Sequence, residues 1–226
     1  SGQEDQSERE IEIMKPRKFR MSERQRQWVR DWWRSLDPKN QDKDALPGEL
    51  RGQGRADRAR LRRCENVEEL LSNSAALLFA RRLIALGGSS KAFADESQVY
   101  EKLAWVAGAL AHVKEDPGDE RTLAFRLGKA LGGERPVMNE LRFRSLQAAA
   151  PADDFFLQIR RAIQLADGKT DVSRLADDLF AWQLEQGKSA LRASSGVKFH
   201  WAYDYYLSVG QKADADEPES IKEHLQ

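Results

Sequence analysis

The chain has 226 residues, enough for one or two domains with a sizeable hydrophobic core. Its 37 basic and 37 acidic residues cancel, yet residues 15–211 carry 34 basic and 27 acidic residues, a net charge of +7, between two acidic ends. A single cysteine excludes an internal disulfide, no apolar run of about 18 residues could cross a bilayer, and the acidic N-terminus is not a secretory signal.

These features favour a cytoplasmic protein with three parts. Residues 1–21 are expected to form an acidic, flexible N-terminal extension, part of which looks like the remnant of an expression tag. Residues 211–226 are expected to form an acidic, flexible tail, which leaves residues 22–210 for the folded domain. The basic body fits a polyanionic partner, because clustered charge of one sign attracts the opposite sign.

The first predicted helix follows Ser22, a residue type that caps helix N-termini, and has Glu23 in its first turn. Its apolar stripe consists of Trp28, Val29, Trp32, Trp33 and Leu36. The three tryptophans favour packing in a core or at an interface. Asp37-Pro38 predicts the end of this helix, and the polar run to Gly54 predicts a loop.

An arginine-rich stretch, residues 51–64, follows that loop and holds six arginines and one acid. Wound as a helix at roughly 100° per residue, it carries on one face Arg55, Arg58 and Arg62, with Arg60 and Arg63 beside them. Only Leu61 and Cys64 form an apolar stripe. A guanidinium donates two parallel hydrogen bonds to a phosphate and stays charged at every accessible pH. Two interpretations stand open: a phosphate-binding face, or a solvated surface of the kind that charge runs commonly form.

Helical spacing of apolar residues continues to the end of the domain. The predicted helices span 66–71, 75–86, 96–113, 122–131, 139–150 and 153–166, followed by one that begins at Asp171 or Ser173 and an aromatic helix after Gly196. No stretch alternates with period two long enough to form a strand. The sequence therefore predicts an all-α fold, a compact bundle of about seven to nine helices, either one body or two helical subdomains split near Pro117.

Catalytic and metal-binding patterns are scarce. His112, His200 and His224 stand at no metal-ligand spacing from one another or from Cys64. We expect His112 to be structural or solvated. Cys64, which lacks a partner histidine, is expected to be a small buried hydrophobe rather than a nucleophile.

Two further patterns also favour structural roles. Gly168-Lys169-Thr170 and Gly187-Lys188-Ser189 end like a phosphate-binding loop, but each lacks the earlier glycine and follows a helix. The doublets Asp153-Asp154 and Asp177-Asp178 point about 100° apart within each pair, so we expect them to be structural or solvated. The sequence predicts no catalytic residue, no metal site and no cofactor.

Basic side chains instead recur on successive helices. Beyond the arginine-rich stretch they are Arg81, Arg82, Arg121, Arg126, Lys129, Arg135, Arg142, Arg144, Arg160, Arg161, Lys188, Arg192 and Lys198. Facing one groove, such cations would form a phosphate track that reads no bases, since no recognition-helix or zinc-finger pattern accompanies them. The tyrosines of the last helix suit core packing or base stacking, and packing is favoured.

Five features follow one another along residues 22–210. They are the tryptophan-rich first helix, 55–64, 127–131, 139–143 and the helix that carries Arg160-Arg161. In this order they resemble the CasB-type small subunit of the type I-E CRISPR surveillance complex, Cascade. The chain departs from that family in two places: the loop at 37–50 is longer than in its shortest members, and Lys129 stands where arginine can stand.

The resemblance implies a non-catalytic, all-helical protein, present as two copies stacked head to tail, that bridges the large subunit and the repeated backbone subunits. It implies binding to DNA, single- and double-stranded, and to crRNA, whose R-loop the basic surface steadies, and no membrane partner. The implied nucleic-acid-binding residues are Arg58, Arg62, Arg63, Arg126, Lys129, Arg142, Arg144, Arg160 and Arg161, to which the helix face adds Arg55. The rival hypothesis is a helical protein–protein adaptor that binds no nucleic acid and whose arginines meet acidic partners or solvent.

Overall fold

A computed structural model of the chain describes residues 14–37, 44–129, 135–149, 152–186 and 192–213. Over these residues the predicted all-α fold is confirmed, with ten α-helices, three short 3-10 helices and no strand. The α-helices are α1 (Glu23–Leu36), α2 (Arg55–Arg63), α3 (Val67–Leu71), α4 (Ser74–Leu86), α5 (Ser97–Leu110), α6 (Leu123–Gly128), α7 (Glu140–Ala148), α8 (Ala152–Leu165), α9 (Val172–Glu185) and α10 (Val197–Ala213). The 3-10 helices are Gly48–Leu50, Lys91–Phe93 and Ala193–Ser195. Each of the ten helices corresponds to one that the sequence predicts individually, although the expected total was about seven to nine. The short α3 and α6 lie within the predicted 66–71 and 122–131, and each has its own side-chain cap.

Side-chain caps fix where three of the predicted helices begin. Ser22, Asn139 and Asp171 each accept a hydrogen bond from the backbone N–H three residues later, at 3.3, 2.9 and 2.8 Å. Each bond satisfies one of the N–H groups that a helix leaves unpaired at its start. The predicted end of α1 is also confirmed, since Leu36 is its last residue and Asp37 is extended.

The core is built around α5 and α9. Every residue from 103 to 110 in α5 and from 172 to 182 in α9 is buried, and α4 and α1 pack against them. The inward face predicted for α8 is confirmed, because Phe155, Ile159, Ala162, Ile163 and Ala166 are at most 7% exposed. Buried residues on both sides of Pro117 belong to one hydrophobic cluster. The described residues therefore share one core.

Close packing of α6 on α10 places α7 beside the last helix. At Gly128 any side chain would collide with the Tyr205 carbonyl and the Ser208 hydroxyl of α10. Tyr205 is 1% exposed, stacks on Phe143 of α7 with ring centroids 4.0 Å apart, and donates a hydrogen bond to the Met138 carbonyl at 2.7 Å. Core packing is thus the confirmed role of this tyrosine.

Residues 14–21, which we call the N-terminal arm, lie against α9. The arm lies within the stretch that the sequence assigned to a flexible extension, yet Met21 is only 2% exposed. Arg17 forms ion pairs with Asp177 and with Asp178, the latter at 2.7 Å. Asp177 also accepts hydrogen bonds from two backbone N–H groups of the arm, at 2.8 and 2.7 Å. The expected structural role of this acidic doublet is confirmed, and the packed part of the chain includes this arm.

Further contacts close the arm onto the core. Arg174 donates to the Arg17 carbonyl at 2.9 Å, and its guanidinium lies 3.6 Å from the centroid of the Phe19 ring. Trp201 of α10 donates to Asp178 at 2.8 Å. Some of the predictions fall on residues that the structure does not describe, namely 1–13, 130–134, 187–191 and 214–226. These ranges contain the rest of both predicted acidic ends and the Gly187-Lys188-Ser189 triplet.

Candidate nucleic-acid interface

The arginine-rich helix α2 docks on the core through very little of its surface. Leu61 is fully buried, and Cys64, just past the helix, is 7% exposed. Cys64 is therefore buried, as expected of a small hydrophobe, and burial raises the pKa of its thiol. Most of the circumference of α2 is therefore left to solvent.

Arg58 of α2 donates hydrogen bonds to backbone carbonyls of the protein itself. Its Nε donates to the Ala111 carbonyl at 3.0 Å, and its guanidinium also donates to the Val113 carbonyl. Trp33 of α1 donates to the same Val113 carbonyl at 3.2 Å. These carbonyls follow the C-terminal end of α5, where a helix leaves acceptors unpaired. Arg58 therefore ties α2 to the segment after α5, at a carbonyl that α1 also contacts through Trp33.

Of the remaining arginines predicted on α2, Arg60 pairs with Asp57 at 3.3 Å, and the other three are open to solvent. Arg55, Arg62 and Arg63 are exposed, and none forms an ion pair with a described residue. Arg160 comes to them from α8, where it donates to the Arg62 carbonyl at 3.3 Å and to the Cys64 carbonyl at 3.4 Å. A cation at this position suits the negative end of the α2 dipole. We call Arg62, Arg63 and Arg160 the α2–α8 cluster.

The electrostatic effect of these arginines is visible at His112. This residue is 5% exposed, and neither ring nitrogen bonds to a described residue. Its pKa is lowered to about 4, first by burial and then by repulsion from Arg160, Arg62 and Arg58. Guanidiniums from two helices therefore create a positive potential at the end of α5, and His112 is neutral at pH 7, consistent with its expected structural role.

Two of the predicted site residues have acidic partners within the chain. Arg126 donates to both carboxylate oxygens of Asp119 at 2.7 Å. Arg144 pairs with Glu140 one turn earlier on α7, at 2.6 Å. Their charge is largely balanced before any external anion arrives. Lys129, at the end of α6, is exposed and pairs with none of the residues described.

Two further cations of the predicted site lie between α7 and α8. Arg142 and Arg161 line one cleft of about 560 Å³, and neither has an ion-pair partner in the described part of the chain. The same cleft contains Gln158, Gln164 and Leu165, which the sequence analysis did not single out. Their spacing of three and four residues from Arg161 is the signal that places them on its side of α8.

A second cavity lies among the described residues, and they contain no metal-ligating cluster. No group of three or more His, Cys, Asp and Glu side chains there is placed to hold a metal ion. A cavity of about 270 Å³ between α5, α8 and α9 is lined by aromatic rings, with Glu101 and Lys102 among its polar residues. None of its described lining residues is a serine, cysteine or histidine.

No helix in the described ranges is both long and apolar enough to cross a membrane.

Comparison with known proteins gives one family match. The sequence model of the family described as CRISPR-associated protein Cse2 matches residues 57–206. That range contains the α2–α8 cluster and both arginines of the cleft, and it leaves out α1 and the N-terminal arm. A chain in a crystal structure of E. coli Cascade bound to a PAM-containing double-stranded DNA target is similar at 20% identity and a TM-score of 0.47, over 82% of this chain and 95% of that one. Nothing among curated protein sequences matches the chain.

Proposed function

The chain belongs to the Cse2, or CasB, family of CRISPR-associated proteins, and from that premise we propose that it is the small subunit of a type I-E Cascade complex. In this role it holds nucleic-acid backbone without reading bases and stabilises the R-loop. Its partners are the target DNA in single- and double-stranded form, the crRNA, a second copy of the chain, and the large and backbone subunits. It contributes no catalytic group.

The observation that carries this proposal is the α2–α8 cluster. Arg62 and Arg63 are exposed without counterions among the described residues, and Arg160 is brought to them from another helix. Guanidiniums without a counterion on adjacent helices bind phosphates and release counterions from the nucleic acid. Because R-loop formation is a nearly balanced exchange of duplexes, a few such contacts suffice to shift it.

The other predicted site residues divide by their surroundings. The exposed cations that we propose as further backbone contacts are Arg55, Lys129, Arg142 and Arg161. Those with partners inside the chain are Arg58, Arg126 and Arg144. We propose that this second group acts mainly by positioning helices.

The test is binding of the full chain to single- and double-stranded DNA of unrelated sequences between 50 and 200 mM salt. We expect similar affinity for all sequences. The double variant Arg62→Gln/Arg63→Gln should lower the salt slope for duplex DNA by about two, since each phosphate contact contributes about 0.9 to that slope. It should also weaken binding about tenfold at the low-salt end, at roughly 1 kcal/mol or less per lost contact.

A matched control removes two exposed arginines elsewhere, Arg24→Gln on α1 and Arg81→Gln on α4. If this control weakens binding as much as Arg62→Gln/Arg63→Gln does, total charge and not the α2–α8 cluster holds the DNA. If the wild-type chain binds neither form of DNA at low salt, the adaptor hypothesis replaces the proposed function.

A further inference from the structure

The cleft between α7 and α8 is lined by one face of each helix. Arg142, Ser145 and Leu146 lie at spacings of three and four residues on α7, so they share a face. Gln158 and Arg161 do the same on α8. The volume of about 560 Å³ is in the range of sites that hold small organic ligands.

The charge in this cleft has one sign. None of its described lining residues is acidic, and Arg142 and Arg161 form no ion pair with the described residues. Arg144, two residues from Arg142 on the same helix, does not line the cleft and is paired with Glu140 at 2.6 Å. The chain thus neutralises the arginine outside the cleft and leaves both arginines inside it available for an anion.

Beside these cations the cleft has an apolar wall with polar groups at its edge. Leu146 is buried, whereas Leu165 is 37% exposed and offers apolar surface to a ligand. The amide nitrogen of Gln158 donates to Asp154 at 2.9 Å, which leaves its carbonyl oxygen free to accept. Gln164 adds an exposed amide with both a donor and an acceptor. A ligand that fits has an anionic group, a flat apolar surface and a polar edge.

The cleft is also connected to the α2–α8 cluster through α8. Arg160 and Arg161 are consecutive, so their side chains diverge by about 100° around the helix. Arg160 reaches the end of α2, and Arg161 lines the cleft on the α7 side. The two sites therefore lie on adjoining faces of α8, so a strand held by the α2–α8 cluster can reach the cleft by crossing this helix.

Resting on the function proposed above, we infer that this cleft holds one unstacked nucleotide of a single strand. Its phosphate lies between Arg142 and Arg161, its base lies against Leu165 and Leu146, and the base edge meets the glutamine amides. In a duplex both faces of a base are covered by its neighbours, so duplex DNA cannot make the contact with the apolar wall. The cleft therefore gives the protein a preference for single strands that the exposed cations alone do not give.

The experiment compares three probes on the full chain: a short oligothymidylate, the same strand with abasic sites, and a duplex of equal length. We expect wild type to bind the oligothymidylate about fivefold more tightly than the abasic strand, the low end of what stacking one base on an aromatic ring supplies, because the wall of this cleft is aliphatic. Leu165→Ser should remove this preference and leave abasic and duplex binding unchanged. Arg142→Gln/Arg161→Gln should weaken binding of both single strands.

Two matched controls separate the cleft from general surface effects. Arg24→Gln removes an exposed charge from α1, away from the cleft, and Leu141→Ser removes an apolar side chain on α7 that is 78% exposed. Both should bind all three probes as wild type does. Circular dichroism and urea unfolding of every variant check that the fold is kept.

Several results would overturn the inference. If Leu165→Ser and Arg142→Gln/Arg161→Gln bind as wild type while Arg62→Gln/Arg63→Gln is weakened, the cleft is not a subsite and the proposed function stands. Equal affinity of wild type for the intact and abasic strands shows that no base enters. Stronger competition by polyglutamate than by oligothymidylate indicates a site for an acidic peptide. If wild type binds none of the probes, the proposed function and this inference both fail.

Discussion

Two groups of arginines in this molecule have opposite surroundings. In the N-terminal arm, Arg17 has a side chain only 9% exposed, against Asp177 and Asp178, whose side chains are 0% and 2% exposed. In the α2–α8 cluster, Arg62 and Arg63 are exposed and lack a counterion among the described residues. Arginine thus stabilises the fold in the N-terminal arm and is available to an external anion in the α2–α8 cluster. Exposure and partners, rather than the number of arginines, decide between these uses.

The energies of the two groups differ for the same reason. Removing one partner of a buried pair leaves an uncompensated charge away from water, which costs about 3–5 kcal/mol. An exposed arginine loses little when it is replaced, because water already solvates it. We therefore expect the arm to control stability and the α2–α8 cluster to control binding, and the four predictions below test that division.

The largest effect is expected from Asp177→Ala. This change removes the partner of Arg17 and the acceptor of two backbone N–H groups of the arm. The free energy of unfolding, measured in urea, should fall by about 3–5 kcal/mol. Asp119→Ala, which breaks the more exposed pair with Arg126, is the control and should cost about 1 kcal/mol or less. Equal losses from the two variants would mean that the arm is not held by its buried charges.

The next effect is a pH dependence that arises at His112. Its folded pKa of about 4 lies below its ordinary value of 6.5, so between these values the unfolded chain binds a proton that the folded chain does not. The free energy of unfolding should therefore fall as pH is lowered through this window, by at most about 1.4 kcal/mol per pH unit from this residue. His112→Leu should show a smaller slope than wild type in urea unfolding between pH 6.5 and 4. Identical slopes would show that His112 is protonated in the folded protein.

A smaller loss of stability is expected from Arg58→Gln. Arg58 lies on α2 but, like Arg17 of the arm, it bonds to groups within the protein. Without the guanidinium, the Ala111 and Val113 carbonyls lose a charged donor, so stability should fall by about 2 kcal/mol. The salt slope of DNA binding should remain close to that of wild type. A variant that keeps full stability but shows a lower salt slope would place Arg58 with Arg62 and Arg63 instead.

The smallest change in stability is expected from Arg62→Gln/Arg63→Gln, the variant with the clearest effect on binding. Neither side chain packs against the core, so the free energy of unfolding should stay within about 0.5 kcal/mol of wild type. Urea unfolding of the same preparations used for DNA binding checks this. A loss above about 1 kcal/mol would show that these arginines also support the fold, and the contrast with the arm would weaken.

Local rules predicted much of the fold because they depend on neighbouring residues. Ser22, Asn139 and Asp171 cap helices as their residue types predict. The apolar spacing from Phe155 to Ala166 identified the buried face of α8, because one helix face repeats every three to four residues. Neither result needed knowledge of a distant contact.

The fate of individual charges could not be predicted in this way, because it depends on residues far along the chain. Arg58 and Arg62 share a face of α2, yet only Arg58 reaches the carbonyls at the end of α5. The role of the N-terminal arm also stayed hidden, since the partners of Arg17 are on α9. The cleft between α7 and α8 likewise exists only once both helices are packed. The sequence alone therefore identifies the candidate cations but does not show which of them have partners within the protein.

The position of the N-terminal arm also bears on the order in which the protein folds. Arg17 contacts Asp178 161 residues later in the chain, and the Met14 N–H donates to the Tyr203 hydroxyl 189 residues later. Contacts between such distant segments close a long loop and form slowly. During synthesis from the N-terminus, the arm has no carboxylate to meet until α9 has emerged, and no tyrosine until α10 has. The arm is thus synthesised before its partners but secured only after them, and resistance of the arm to proteolysis reports that α9 and α10 have packed.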